Sequence, residues 1–239
     1  MKSTNLEKAA KSGYYQLSNL PEHIKSDKWF SEKHLNSEMW EQNIPAIFED
    51  STFDVGVFAE VRSQKKNFSD EIELYFVDHF KVLLFADELD YPLMVQRENR
   101  TNKYYLYPIN NVVNKLQRST NYDQRKPYLD AIKEPCKIGV YSDKKVIAWI
   151  NYCAEYINAL QACNDAISGR KKEHESYIKS VIDSLPTANV QQHQNTTYIT
   201  TKYFEIKFEI RDNGNYLHKQ VHFIGKIEDI IKITDICTK

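Results

Sequence analysis

The stretch FEIKFEIRDNGNYLHKQVHF, residues 204–223, carries the clearest structural pattern in the chain. Apolar and charged residues alternate over its first eight positions, which is the two-residue period of a strand with one buried face. Asn213-Gly214 is a favoured sequence for a two-residue hairpin turn. Such a turn places Phe204 opposite Phe223, and we predict a β-hairpin with one apolar face. The other predicted pairs are Glu205 with His222, Ile206 with Val221, Glu209 with His218, and Ile210 with Leu217.

His218 and His222 within this stretch also have the spacing HxxxH. On a helix this spacing would place two imidazoles one turn apart, where they could share a metal ion. On the predicted strand they lie about 13 Å apart, at about 3.3 Å per residue, which is too far for one ion. We therefore predict no metal ion and no cofactor here, and we interpret both histidines as cross-strand partners of glutamates.

The residues before the hairpin have a helical period. Apolar residues recur every three or four positions over Val146–Ile167, which predicts a long amphipathic helix. Gly169 is placed to end that helix, and the apolar positions of Tyr177–Leu185 predict a second, shorter one. We expect these two helices to form an antiparallel helical hairpin. The polar segment Thr187–Thr197 reads as a loop.

The first half of the chain combines a helical beginning with strands. A short helix ends before Gly13, and a second helical stretch carries Trp29 and Trp40. Short runs with a two-residue period then predict an antiparallel β-meander over Thr52–Pro108. Its predicted strands are Phe53–Val57, Ile72–Phe76, Leu93–Gln96 and Lys103–Tyr107, with the apolar run Phe80–Phe85 left ambiguous.

Together these elements predict an α+β fold: a helical N-terminus, an antiparallel β-meander, a helical hairpin and a C-terminal β-hairpin. We expect a single domain over residues 1–239, because no segment rich in proline or glycine marks a boundary. A subdivision near residue 138 is the alternative. It would separate a helix plus meander (1–137) from a helical hairpin plus β-hairpin (138–239).

Composition limits the compartment in which this protein works. The chain has 239 residues, of which 41% are hydrophobic and 13% are aromatic. This aromatic fraction is too high for a disordered chain. The longest apolar runs, such as Val82–Ala86, have only five residues and are far short of a membrane span, and the polar N-terminus has no secretory h-region. The cysteines form no CxxC pair and read as reduced thiols in the core. We predict a soluble, cytoplasmic protein that does not contact a membrane.

Glycine content argues against several enzyme classes. The chain has only six glycines, and the closest two, Gly214 and Gly225, are eleven positions apart. A phosphate-binding loop needs glycines within a few residues of each other, so that backbone N–H groups can approach the anion. The sequence therefore excludes a Walker loop, a GxGxxG dinucleotide site and a GxSxG nucleophile turn.

Acidic residues concentrate between positions 51 and 100, where ten acids stand against six bases. Four of these acids are candidate catalytic residues on or beside the predicted strands: Asp54, Glu60, Glu71 and Glu73. Metal-dependent nucleases hold magnesium with carboxylates placed on adjacent strands. However, Glu60 is followed two positions later by Arg62, and arginine cannot lose its proton as a lysine can. The alternative is a solvated outer face of the sheet.

Residues 101–150 are the basic part of the chain, with nine bases against four acids and several interleaved tyrosines. Basic side chains neutralise phosphates and tyrosine rings stack on unpaired bases, so this segment is the nucleic-acid candidate. Its candidate residues are Lys103, Tyr105, Lys115, Arg118, Arg125 and Lys126. In the alternative interpretation, this basic segment faces the acidic residues 51–100 or a protein partner.

Trp149 and Tyr156 in the predicted long helix are candidates for an interface with a protein partner or a second copy, the alternative being the core. Our leading hypothesis is a non-catalytic intracellular protein-interaction or adaptor module. The alternative is a metal-dependent nuclease or nucleic-acid-binding protein that uses acidic residues 54–73 and the basic segment 101–150. One experiment distinguishes the adaptor from the nuclease. Only a nuclease would cut nucleic acid in the presence of magnesium and lose that activity in the Glu60→Gln variant.

Overall fold

The computed structural model describes residues 2–20, 44–49, 51–65 and 73–224. Over these residues the chain forms four α-helices and two antiparallel sheets, which confirms the α+β fold class. Among the described helices, none combines the length and the apolar character that crossing a membrane requires. The second predicted N-terminal helix, with Trp29 and Trp40, lies outside the described residues.

The helices are α1 Ser3–Lys11, α2 Asn110–Gln117, α3 Tyr122–Leu129 and α4 Asp143–Asp183. The strands are β1 Tyr14–Tyr15, β2 Asp54–Lys65, β3 Glu73–Phe85, β4 Leu93–Arg97, β5 Tyr104–Pro108, β6 Asn189–His193, β7 Thr196–Thr200, β8 Phe204–Arg211 and β9 Tyr216–Phe223. Contacts divide the chain into two compact units. Unit 1 comprises Met1–Arg118 and Lys126–Leu160, and unit 2 comprises Ser119–Arg125 and Gln161–Lys239.

Unit 1 is built on an antiparallel sheet with the strand order β1-β2-β3-β4-β5, so the predicted meander is confirmed. The ambiguous run Phe80–Phe85 is the end of β3. Leu83 and Phe85 pack with Ala9 of α1, whereas Leu84 packs with Trp149 of α4. Because both faces of the sheet are covered at this point, the strand is apolar at consecutive positions and does not alternate.

Unit 2 is built on a second antiparallel sheet with the order β6-β7-β8-β9. Every cross-strand pair predicted between residues 204 and 223 is present in β8 and β9. The alternation of apolar and charged residues therefore predicts the register of this hairpin correctly. One face of this sheet packs on the end of α4, where Ile178, Ile199 and Phe208 form the centre of the core of unit 2.

The turn between β8 and β9 differs from the predicted two-residue turn. The last ladder pair is Arg211 with Tyr216, and four residues connect them. Asp212 and Asn213 both take positive φ angles, 53° and 55°, which short polar side chains tolerate. Two side chains from a distant part of the sequence hydrogen-bond to this wider turn. The Asn121 amide donates to the Asp212 carboxylate at 2.6 Å, and the Gln124 amide donates to the backbone carbonyl of Asp212 at 2.9 Å.

The predicted helical hairpin is wrong, because α4 is one helix of 41 residues that continues through Gly169. Gly169 does not take a positive φ angle, so it does not form the left-handed turn that commonly ends a helix. A single interior glycine costs a helix only about 1 kcal/mol relative to alanine. The strong helix formers that follow, Arg170–Glu173, are sufficient to carry the helix past it.

The predicted loop Thr187–Thr197 is also wrong over most of its length. It contains β6 and the start of β7, which pair from Asn189 with Thr200 to His193 with Thr196. The tight turn between them is enabled by a positive φ angle of 50° at Gln194. Polarity suggested a loop, but β6 is an edge strand with largely exposed side chains, so its polar residues do not oppose a strand.

Candidate functional site

Strand β9 lies at the edge of the sheet in unit 2, as the last strand in the order β6-β7-β8-β9. Near its end, the N–H of Ile224 donates to the carbonyl of Tyr203 at 2.8 Å, extending the β8–β9 ladder by one pair. In an antiparallel ladder, backbone groups point alternately toward the neighbouring strand and away from it. The N–H and C=O groups of Val221 and Phe223 therefore point away from β8, toward the side of β9 on which the described residues form no further strand.

This end of β9 is apolar on both faces. Val221 and Phe223 share one face of the sheet, and Ile224 lies on the other face with Tyr203. The exposed fractions are 46% for Tyr203, 50% for Val221, 43% for Phe223 and 48% for Ile224. We call these four residues the β9 apolar end. It combines exposed apolar side chains with outward-pointing backbone groups, the two features by which an edge strand accepts a further strand.

The turn between β7 and β8 holds the tyrosine of the β9 apolar end in place. The hydroxyl oxygen of Thr201 accepts hydrogen bonds from the N–H groups of Tyr203 and Phe204, at 3.2 and 3.1 Å. The ammonium group of Lys202 lies 5.6 Å from the centre of the Tyr203 ring. The local turn thus presents the tyrosine at the surface as part of an ordered structure.

The face of the sheet that carries Tyr203 and Ile224 also carries a cluster of charged side chains. Glu209 accepts a hydrogen bond from Arg211 at 2.8 Å and forms an ion pair with Lys207 at 3.3 Å. The hydrogen bond from Arg211, followed by the one from Lys207, lowers the pKa of Glu209 to about 2. His218 faces Glu209 across the strands, as predicted. The described residues hold no group of three or more His, Cys, Asp or Glu side chains placed to bind a metal ion.

The three candidate acidic residues that the structure describes lie at separate positions along β2 and β3. Asp54 begins β2 and pairs with Phe85, whereas Glu73 pairs with Lys65 at the opposite end of the same two strands. Eleven residues of strand separate Asp54 from Lys65, or about 36 Å. Glu60 lies about 20 Å from Asp54 by the same measure. Glu71 lies outside the described residues.

Glu60 itself is buried, with 2% of its surface exposed. Its carboxylate accepts hydrogen bonds from the Arg62 guanidinium at 3.0 and 3.2 Å, beside a bulge between Glu60 and Val61. A buried carboxylate needs such a partner, because an unpaired charge away from water is costly. In this position Glu60 is half of a structural ion pair.

The nucleic-acid candidates occupy several different settings. Lys115 lies in α2 and Arg118 directly follows it, both exposed, and Lys126 is exposed in α3. Lys103 is exposed before β5, and its side chain lies beside Gly139. Arg125 belongs to unit 2, where its guanidinium donates to the carbonyl of Thr120 at 2.7 Å. These candidates therefore belong to several elements, and Arg125 belongs to a different unit from the others.

Tyr105 lies in an aromatic cluster of unit 1. Its ring centre is 5.0 Å from that of Tyr107 and 6.3 Å from that of Trp149, and the Lys137 ammonium lies 5.6 Å from it. Lys137 also forms an ion pair with Glu98 at 2.6 Å, and this hydrogen bond is the first cause of the lowered pKa of Glu98. A basic residue of segment 101–150 thus meets an acidic residue of segment 51–100 inside the same unit.

The two interface candidates differ in exposure. Trp149 is fully buried, and its indole N–H donates to the carbonyl of Cys136 at 3.1 Å, so it belongs to the core and is not a surface anchor. Tyr156 is partly exposed, packs beside Tyr152 and accepts a hydrogen bond from Gln117 at 3.4 Å. Of the predicted core cysteines, Cys153 and Cys163 are buried but Cys136 is exposed; Cys237 lies outside the described residues.

One open cleft in unit 1, of about 560 Å³, lies between β3 and β4. Lys81, Gln96 and Arg97 are the polar side chains on these two strands that line it, and no carboxylate is among its described lining residues. The described lining therefore offers no pair of carboxylates for general acid and base chemistry.

Sequence reasoning did not single out the β9 apolar end as a site, although it placed Val221 and Phe223 correctly in the ladder. Alternation marks a face as apolar but does not show how far the packed helix covers it. The described residues form an α+β fold in which β9, an edge strand of the sheet in unit 2, carries exposed apolar side chains. Comparisons with protein-family models, curated proteins and solved structures found no match to this chain.

Proposed function

We propose that this chain is a non-catalytic protein-binding module, and that unit 2 binds an extended segment of a partner protein as an additional strand beside β9. The observation that carries this proposal is the β9 apolar end. There, outward-pointing backbone groups coincide with exposed apolar side chains at Val221 and Phe223. Backbone hydrogen bonds would supply affinity in such a complex, and alternate side chains would supply specificity.

The chemistry of the partner segment follows from the same geometry. A segment that pairs with β9 has to be extended, because the open groups repeat with the period of a strand. Side chains on one face of it would meet Val221 and Phe223, so alternate positions of the segment should be apolar. The usual protection of an edge by a lysine is weak here, since the Lys219 ammonium lies over the Tyr177 ring at 4.0 Å.

The opposite edge of the same sheet provides an internal comparison. Strand β6 has the sequence NVQQH, and most of its side chains are polar and exposed. It therefore offers a partner backbone groups without an apolar surface. We expect binding to depend on β9 and to be insensitive to changes on β6.

Selection from a random peptide library displayed on phage tests the proposal. We expect the purified full chain to enrich peptides with apolar residues at alternate positions. Val221→Pro removes an outward N–H without removing a β8–β9 hydrogen bond, and Phe223→Lys places a charge on the apolar end. Each should weaken binding of a selected peptide, measured by fluorescence polarisation, by about tenfold or more, the effect of at least about 1.4 kcal/mol.

Gln192→Lys on β6 is the matched control and should leave the affinity unchanged, with circular dichroism confirming that all three variants are folded. The proposal fails if no peptide family is enriched, or if Val221→Pro and Phe223→Lys bind the peptide as tightly as the unmodified chain. It also fails if β9 is occupied by a second copy, seen as a concentration-dependent dimer in sedimentation that Val221→Pro abolishes.

A further inference from the structure

Unit 1 contains a small cavity, of about 160 Å³, between the start of α1, the start of β2 and the residues after β3. Its polar lining residues include Asn5, Asp54, Asp87 and Glu88, and Phe53 and Phe85 add aromatic surface. Pockets for drug-sized ligands have about 300–1,000 Å³, so this cavity suits a smaller group.

Asn5 gives the first indication of a ligand. The residue is only 2% exposed, and its amide nitrogen donates to the Asp54 carboxylate at 2.6 Å. Its buried amide oxygen, Oδ1, has no hydrogen-bond partner among the residues that the structure describes. Buried polar atoms are rarely left unpaired, so an unpaired acceptor lining a cavity indicates that a hydrogen-bond donor belongs there.

The charges around the cavity indicate the sign of that donor. Three carboxylates line it, from Asp54, Asp87 and Glu88, against one ammonium group, that of Lys2. Lys2 is engaged at the rim, where it donates to both oxygens of Asp87 at 3.0 and 3.1 Å. The cavity therefore retains an excess of negative charge, and Lys2 shows that an ammonium group is accepted at its edge.

We propose that this cavity binds a primary ammonium group carried on a short alkyl chain, which donates to Asn5 Oδ1 and to the carboxylates of Asp54 and Asp87. The ammonium group has three N–H donors, enough for these three acceptors. Phe53 and Phe85 offer the alkyl chain an apolar wall. The group could come from a free amine or from a lysine side chain, since both present the same chemistry.

A metal ion fits these residues less well than an ammonium group. No three acidic, histidine or cysteine side chains of the described residues are placed to hold a metal ion. Magnesium requires near-octahedral oxygen coordination, and calcium requires six to eight oxygen ligands. The aromatic part of the lining contributes no ligand to either ion, but it does favour an alkylammonium group.

The test uses the Lys2→Ala chain, in which the competing ammonium group is removed from the rim. We expect n-butylammonium to bind this variant with a Kd in the millimolar range, measured by chemical shift changes of the Asn5 side-chain amide, and to bind the unmodified chain about tenfold more weakly. Nα-acetyl-lysine amide is the second probe. Binding of both probes indicates that a lysine side chain fits, and binding of n-butylammonium alone indicates a free amine.

Lys11→Ala, at the opposite end of α1, is the control for the loss of one lysine and should behave as the unmodified chain. In the Lys2→Ala background, Asp87→Asn should weaken n-butylammonium binding at least fivefold, and its exposed position makes a folding defect unexpected. Equal binding of neutral n-butanol, an unchanged affinity in Asp87→Asn, or saturable Ca²⁺ or Mg²⁺ binding that displaces the amine would each overturn the proposal. The unit 2 variants leave this test unaffected.

Discussion

Trp149 illustrates how a single side chain can fit two roles in a sequence and only one in the fold. Its position in an apolar helical stripe is compatible with either a core or an interface, because both bury aromatic surface. The structure decides this by burying the ring completely and pairing its N–H with the carbonyl of Cys136. A carbonyl partner contributed by another segment has no signature in the local sequence.

The cysteines provide a prediction at the residue scale. Burial raises the pKa of Cys153 to about 12 from a usual value of 9.0, whereas Cys136 is exposed. A rise of three units lowers the thiolate fraction at neutral pH about a thousandfold. We expect iodoacetamide at pH 8 to label Cys136 at least 100 times faster than Cys153, as measured on separate peptides by mass spectrometry. Comparable labelling rates in the folded protein would contradict the assigned burial.

Glu209 gives a prediction on pH dependence. Its pKa is lowered to about 2 from 4.5 by the hydrogen bonds from Arg211 and Lys207. Because the folded-state pKa is depressed, the stabilisation is present above about pH 4.5 and is lost as the pH falls toward 2. We expect NMR titration of the Glu209 carboxyl to give a pKa well below 4, and Arg211→Gln to raise it. An unchanged pKa in Arg211→Gln would show that the pairing is absent in solution.

At the scale of the element, a strand or turn was predictable from the sequence only where the residues that determine its geometry lie close to it in the chain. The β8–β9 register was predictable because two apolar strands and a turn signal agree within twenty residues. The wider turn was not, because its geometry depends on Asn121 and Gln124, about ninety positions away in the sequence. The β6–β7 hairpin was missed because an exposed edge strand lacks the apolar alternation on which the prediction depends.

Gly169 tests the single long helix α4 directly. A Cβ atom added at this glycine would meet no atom of the described residues within 4 Å beyond the backbone of its own helix, and the φ angle of Gly169 is not positive. Gly169→Ala should therefore stabilise the protein by about 1 kcal/mol, measured by urea denaturation. Gly214→Ala is a contrasting variant, since φ there is +112° and the new Cβ would lie 2.7 Å from Lys171. Destabilisation by Gly169→Ala would instead favour the helical hairpin.

At the scale of the whole molecule, the candidate site was less predictable than the fold. The class of fold follows from residue periodicities, which are local. An exposed apolar surface is instead what remains after packing, and it depends on where α4 stops covering the sheet in unit 2. Asp54, Glu60 and Glu73 show the converse. All three are acidic residues in one region of the sequence, but their backbone positions lie far apart along β2 and β3.

Amide hydrogen exchange along β9, with and without a peptide from the library selection, is the most direct measurement of the proposed strand addition. The outward N–H groups of Val221 and Phe223 should exchange quickly in the free protein and at least about tenfold more slowly in the complex, because only a new strand would pair them. The inward N–H groups of Gln220 and His222 should change much less. Protection that appears elsewhere in the chain, with Val221 and Phe223 unchanged, would contradict the account.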